Sequence, residues 1–125
     1  MVSHAQAELP NECVGLLAGL PDGRVRDRYP LVNALADPRR FESEPQSMFA
    51  AVKRCREQDF EFLAVYHSHP TSPPVPSGTD LEQNYWPGVV SIIISLLPTQ
   101  PEVRAYWLEP ASYREAEWVV VADSR

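Results

Sequence analysis

Two histidines one residue apart, His67-Ser68-His69-Pro70, are followed by Ser77 and Asp80, the aspartate standing eleven positions after His69. In extended backbone both imidazoles project from one face of a strand. Asp80 returns across a proline-stiffened loop and can supply a third donor from the first turn of a helix. Two neutral imidazoles and a carboxylate suit Zn²⁺, and three protein ligands leave a fourth tetrahedral position for water. An open position points to catalysis rather than bracing. Peptide hydrolysis further needs a group that takes a proton from the attacking water and passes it to the leaving amine. Glu12, at the start of the first apolar run, is the candidate base.

Each of these residues has an ordinary explanation when taken alone. A lone histidine such as His4 is usually a satisfied or exposed side chain, Asp80 reads as a helix N-terminal acid, and Ser77 as an N-cap. Jointly they are more specific: the pattern of five fixed residues arises by chance in roughly one in 10⁵ chains of this length. The set is therefore read as one constellation.

The surrounding elements must bring it together. Residues 13–20, CVGLLAGL, form a near-continuous apolar run closed by Pro21-Asp22-Gly23, which predicts a buried strand and a turn. Residues 25–31 alternate in polarity and make the second strand of a hairpin. Ser43-Glu44-Pro45-Gln46 carries a capping-box pattern ahead of Met48, Val52 and Cys55, so an amphipathic helix is expected over about 44–58. Its Lys53, Arg54, Arg56 and Glu57 read as a solvated face. Residues 60–66, FEFLAVY, form a strand that delivers the chain into His67. Pro70, Pro73, Pro74 and Pro76 exclude regular structure in the next loop. A short helix is expected from Ser77 to about residue 85. Strands follow at 89–97, 103–108 and 118–121, and Trp86, Trp107 and Trp118 are expected in the core. The order of elements implies an α+β or mixed α/β domain around a central sheet.

With Pro10-Asn11-Glu12-Cys13-Val14-Gly15-Leu16-Leu17 upstream of His67-Ser68-His69-Pro70 and Ser77-Gly78-Thr79-Asp80, the chain resembles the JAMM, or MPN-plus, zinc metalloproteases. The similarity spans almost the whole sequence. It implies a single α+β domain over residues 1–125 of cytidine-deaminase-like type, a mixed central sheet flanked by helices. It further implies one zinc held by His67, His69 and Asp80, and Glu12 as general acid/base. Ser77 would donate its hydroxyl to the oxyanion, a role that competes with N-capping. Enzymes of this type cut after the C-terminal glycine of a ubiquitin-like protein. Only eight residues separate Asp80 from Val89, too few for the insertions of polyubiquitin-specific members. The compact form resembles the stand-alone bacterial branch, for which the expected substrate is a ubiquitin-like sulfur carrier bearing cysteine or another adduct on its terminal glycine. An extended tail can add to an exposed sheet edge, and Arg39-Arg40-Phe41-Glu42 is the candidate edge, set against an ordinary surface loop, which is the favoured reading of that segment. Two alternatives stay open: a general small-peptide metallopeptidase, and a catalytically silent zinc-binding interaction module.

Two departures stand out. Family members usually carry a helix before the segment at His4-Ala5; here it is expected to be shortened or absent, either because the annotated start is late, which is favoured, or because a partner covers that face. Cys13 directly follows Glu12, one place earlier than usual, while the Glu-x-x-Gly spacing is kept.

The 125 residues carry 11 Lys plus Arg against 17 Asp plus Glu, a formal charge of −6. That balance disfavours nucleic acid and anionic lipid as partners. With no apolar run near the ~20 residues of a membrane span and no signal-peptide pattern at the start, a cytoplasmic location is expected. Cys13 and Cys55 are read as buried thiols. An apolar strand would raise the Cys13 pKa, so Cys13 is not the expected nucleophile.

Overall fold

The structure is a computed structural model, and it describes residues 1–35, 37, 42–82, 89–109 and 112–119. The chain order is α1 (Val2–Ala7), β1 (Val14–Gly19), β2 (Val25–Leu31), α2 (Pro45–Glu57), β3 (Glu61–His69), α3 (Gly78–Glu82), β4 (Val90–Ser95), β5 (Glu102–Glu109) and β6 (Ser112–Ala116). The six strands form one sheet in the order β2-β1-β3-β4-β5-β6. All neighbours are antiparallel except β3 and β4, which run parallel with His67 opposite Ile93 and His69 opposite Ser95. A parallel pair needs a crossover. Here that crossover is the segment carrying the prolines, Ser77 and Asp80, so the topology itself places the loop over the end of β3.

Period-two alternation divides the core between the two faces of the sheet. On one face Cys13, Leu17, Ala64, Tyr66, Ile92, Ile94 and Ala105 pack with Ala5 of α1. On the other, Val14, Leu16, Tyr29, Leu31 and Val65 pack with Ala51 and Cys55 of α2. The expected amino-terminal helix is therefore present in short form. Tyr66 is fully buried beneath it, and a Cβ on Gly15 would lie 2.1 Å from the Tyr66 ring, so the strand opposite Tyr66 must carry glycine there. Cys13 and Cys55 are buried free thiols.

Three local expectations are corrected. The cap of α2 is Glu44, not Ser43: Pro45 takes the first helical position and forces the preceding residue into extended backbone, where the Glu44 carboxylate accepts the Ser47 N–H at 3.1 Å. Ser43 instead bridges to Asn33. The last strand among the described residues is Ser112–Ala116, paired in hairpin register with β5, whereas Trp118 and Val119 lie outside any strand. Residues 120–121 of the expected strand and 83–85 of the expected helix lie outside the described residues, as does Trp86. Trp118 is 48% exposed and Trp107 half-buried beneath the Arg114 guanidinium, so neither is core. No helix among the described residues is long and apolar enough to cross a membrane.

Candidate metal centre

The strand predicted to end at Tyr66 runs on through both histidines, so His67 and His69 share the face of Val65. Both are buried. Their Nε2 atoms lie 3.2 Å apart. Asp80 closes the set, with Oδ1 3.2 Å from His67 Nε2 and Oδ2 3.0 Å from His69 Nε2. Among the described residues these three form the group whose donor atoms could hold a metal ion.

Asp80 is aimed by a reciprocal cap. Its backbone N–H donates to Ser77 Oγ at 3.1 Å, and its carboxylate accepts the Ser77 N–H at 2.9 Å. Both ends of the Ser-x-x-Asp motif are thereby satisfied. The serine hydroxyl still has its own proton to donate, because a hydroxyl accepts and donates at once.

The proline loop is held through its carbonyls. Proline has no N–H, so a loop of this composition cannot tie itself down with a ladder. Instead, side chains of three strands each take one carbonyl: Ser95 Oγ donates to Ser72 at 2.6 Å, His69 Nδ1 to Pro73 at 2.8 Å, and the Tyr106 hydroxyl to Pro74. The bond to Pro73 also fixes the His69 tautomer, since a carbonyl only accepts. Neutral His69 therefore presents an Nε2 lone pair to the other two donors.

Such convergence of lone pairs on a buried carboxylate is the environment a cation relieves, and the residues fit a divalent metal with nitrogen and oxygen preferences. Without a cation, a proton relieves the same crowding. Burial opposes the Asp80 charge, but His67, His69 and the Ser77 N–H hold its carboxyl well below the usual range. Burial likewise opposes charge on His69, yet its bonds to Asp80 and the Pro73 carbonyl and the Asp80 charge raise its pKa.

Glu12 lies outside the ligand group but on the same side. Val14, the first residue of β1, pairs with His67, and Glu12 precedes it by two residues, which carries it past the end of β1 toward the end of β3 that bears His69. It is 3% exposed, and its Oε1 has no hydrogen-bond partner. Burial, then the charges of Asp80 and Asp37, push its carboxyl up to about 9. Burial also pushes the Cys13 thiol up, which leaves it a poor nucleophile.

Sequence reasoning passed over the residues that hold this arrangement. Ser68 accepts the Cys13 N–H on its Oγ at 2.8 Å, and Asn33 reaches the Glu12 carbonyl at 3.0 Å. Asn33 reads in the sequence as an ordinary turn residue. Ser95 and Tyr106 read as strand residues, and nothing local marks them as loop anchors. Of the candidate tail-binding edge, residues 39–41 lie outside the described residues.

Residues 1–109 match the family of prokaryotic homologs of the JAB domain. The chain is a JAB-domain protein. This JAB domain is 38% identical over 101 residues to the desampylase of Haloferax volcanii, covering 76% of the chain and 73% of that protein. It is 29% identical over 109 residues to the CysO-cysteine peptidase of Mycobacterium tuberculosis, covering 85% and 74% respectively. A protein from Desulfitobacterium hafniense whose solution structure is known superposes with a TM-score of 0.88 at 34% identity, over 98% of this JAB domain and 87% of that chain.

Proposed function

We propose that this JAB domain is a zinc-dependent peptide or isopeptide hydrolase that cleaves after the C-terminal glycine of a ubiquitin-like sulfur-carrier protein. The observation that carries the reading is the convergence of His67, His69 and Asp80 donor atoms beside a buried Glu12 with an unpartnered carboxyl oxygen. The similarity to a desampylase and to a CysO-cysteine peptidase supports the substrate class.

His67, His69 and Asp80 would hold the zinc. When bound there, zinc supplies Lewis-acid polarisation of the scissile carbonyl and lowers the pKa of the attacking water. Glu12 takes the proton from that water and hands it to the departing amine. The surroundings of Glu12 favour its protonated form, which suits the second half of that cycle, and a cation bound beside it would offset the Asp80 charge and favour the carboxylate needed for the first. Ser77, its acceptor side engaged by the Asp80 N–H, turns its own O–H toward the oxyanion that develops on the carbonyl. Only eight residues separate Asp80 from Val89, too few for an insertion that grips a second ubiquitin-like protein, which favours a small adduct on the carrier; amide hydrolysis releases that adduct and regenerates the free carrier.

The test is mass spectrometry of the zinc-loaded protein incubated with a ubiquitin-like sulfur carrier extended past its terminal glycine by cysteine, with Glu12→Gln run in parallel. Cleavage at the glycine by wild type alone is the expected result. An unchanged rate in Glu12→Gln would remove Glu12 as the base. No cleavage by protein shown to contain zinc would overturn the substrate, and would shift the reading to a general peptidase or an interaction module.

A further inference from the structure

The sheet alone does not fix Glu12. The last paired residue of β1 toward the site is Val14, and beyond it the ladder changes character: Ser68 N–H donates to the Cys13 carbonyl at 3.2 Å, but the Cys13 N–H goes to the Ser68 side chain. Glu12 is one step further out. A group that moves a proton must be held within a fraction of an ångström of its partner, so something else has to seat it.

Two contacts do so, one on each side of the residue. The Glu12 N–H donates to the Asp37 carbonyl at 2.9 Å, and the Glu12 carbonyl accepts from Asn33 Nδ2 at 3.0 Å. Asn33 uses its other side-chain atom as well. Its Oδ1 accepts the N–H groups of Leu35 and Glu42, each at 3.1 Å. One amide therefore joins the strand end carrying Glu12, the turn after β2 and the chain returning toward α2, where Ala34 N–H also meets the Glu42 carbonyl at 2.7 Å. The task needs a donor and an acceptor on two separate atoms of one short side chain, which aspartate and alanine do not supply at neutral pH and serine offers only on a single oxygen.

We propose that Asn33 is a positioning residue for the proton-transfer step, its Nδ2–H bond to the Glu12 carbonyl setting where the Glu12 carboxyl stands relative to His67, His69 and Asp80. This rests on Glu12 acting as the base. A purely structural Asn33 would serve only the loop, through Oδ1; a positioning Asn33 serves the base, through Nδ2. The two roles can be separated by substitution.

Asn33→Asp keeps the acceptor and loses the donor, whereas Asn33→Ala loses both. Four quantities are measured on each zinc-loaded variant: kcat and KM on the cysteine-extended carrier, bound zinc, and melting temperature. Amide hydrogen exchange is followed on the metal-free proteins. Asn33→Asp is expected to lower kcat about 10- to 100-fold while KM stays within about twofold, as expected for a displaced catalytic group. Zinc content is expected to stay at wild-type level, and Glu12 and Cys13 amides to exchange faster while those of Val65 and Ile93 do not change. Asn33→Ala adds a loss of melting temperature, and Asn33→Gln, with the same groups on a longer arm, recovers part of kcat. Wild-type kcat in Asn33→Asp overturns the proposal, as does a loss confined to KM or one that merely follows melting temperature across the variants. If Glu12→Gln proves fully active, or wild type does not cleave, the functional reading fails by itself. In that case unchanged exchange at Glu12 and Cys13 independently rejects Asn33 as the group that seats Glu12.

Discussion

Glu12 occupies a place where its charge is opposed three times over, by lost hydration and by the Asp80 and Asp37 carboxylates. The consequence for the metal-free protein has a definite sign. The unfolded chain releases this proton near 4.5, whereas the folded chain keeps it up to about 9. Across that window the folded state binds more protons than the unfolded one, so the stability contributed by Glu12 falls as pH rises. Urea unfolding in the presence of chelator should show it: metal-free Glu12→Gln is expected to be more stable than wild type at pH 7 by roughly 2–3 kcal/mol, and the gap to close toward pH 4.5. Parallel stability curves would contradict the buried, charge-opposed setting. His69 contributes with the same sign, its raised pKa giving stability that is present on the acid side of the ordinary histidine value and lost as pH rises through the raised one. Asp80 acts oppositely, contributing stability above the ordinary aspartate value of 3.8 that is lost as pH falls below it.

At the scale of elements, the legible parts were those whose signal is burial. The runs that became β1, β3 and β4 are apolar because their strands lie inside the sheet, and the His-x-His spacing carries meaning because β3 is extended through it. Strand β6 was missed because it is an edge, mostly exposed, and its Ser-Tyr-Arg-Glu-Ala sequence has no apolar run to announce it. The α2 cap was misassigned by one residue because a Ser-x-x-Gln pattern and a proline-adjacent glutamate compete, and the proline decides. The anchors of the proline loop are tertiary: Ser95 and Tyr106 meet carbonyls 23 and 32 positions away, and no local pattern encodes that. The Glu-x-x-Gly spacing was noticed without its reason, which is the Tyr66 ring filling the room a side chain would need. Gly15→Ala is accordingly expected to destabilise by about 1–3 kcal/mol or more, as overpacking of a full core does. Thermal unfolding checks this, and an unchanged melting temperature would show that Tyr66 can yield.

For the molecule as a whole, metal and fold should be thermodynamically linked if His67, His69 and Asp80 are the ligands, because those donors converge only when β3 and α3 are both in place. A ligand that binds the folded state alone stabilises it by about 2.7 kcal/mol at a hundredfold excess over Kd. Zinc is therefore expected to raise the melting temperature in a concentration-dependent way. Because protons compete for the same donor atoms, the increment should be larger at pH 8 than at pH 6. In His67→Ala the increment should vanish or shrink greatly. Full zinc occupancy in that variant, read by native mass spectrometry, would remove His67 from the ligand set.

The single parallel pair in the sheet also bears on how the chain comes into being. A growing chain emerges from the ribosome amino end first, and hairpins such as β1-β2 can close as they appear, whereas β4 has nothing to pair with β3 until the whole crossover is out. Asp80 is synthesised before Ser95 and Tyr106, the side chains that pin the loop in front of it. A nascent chain thus carries all three candidate donors before the side chains that hold the loop in front of them. The loop in front of Asp80 gains its last anchor only when β5 docks and Tyr106 reaches Pro74, so a chain cut before β5 is expected to hold that loop less firmly.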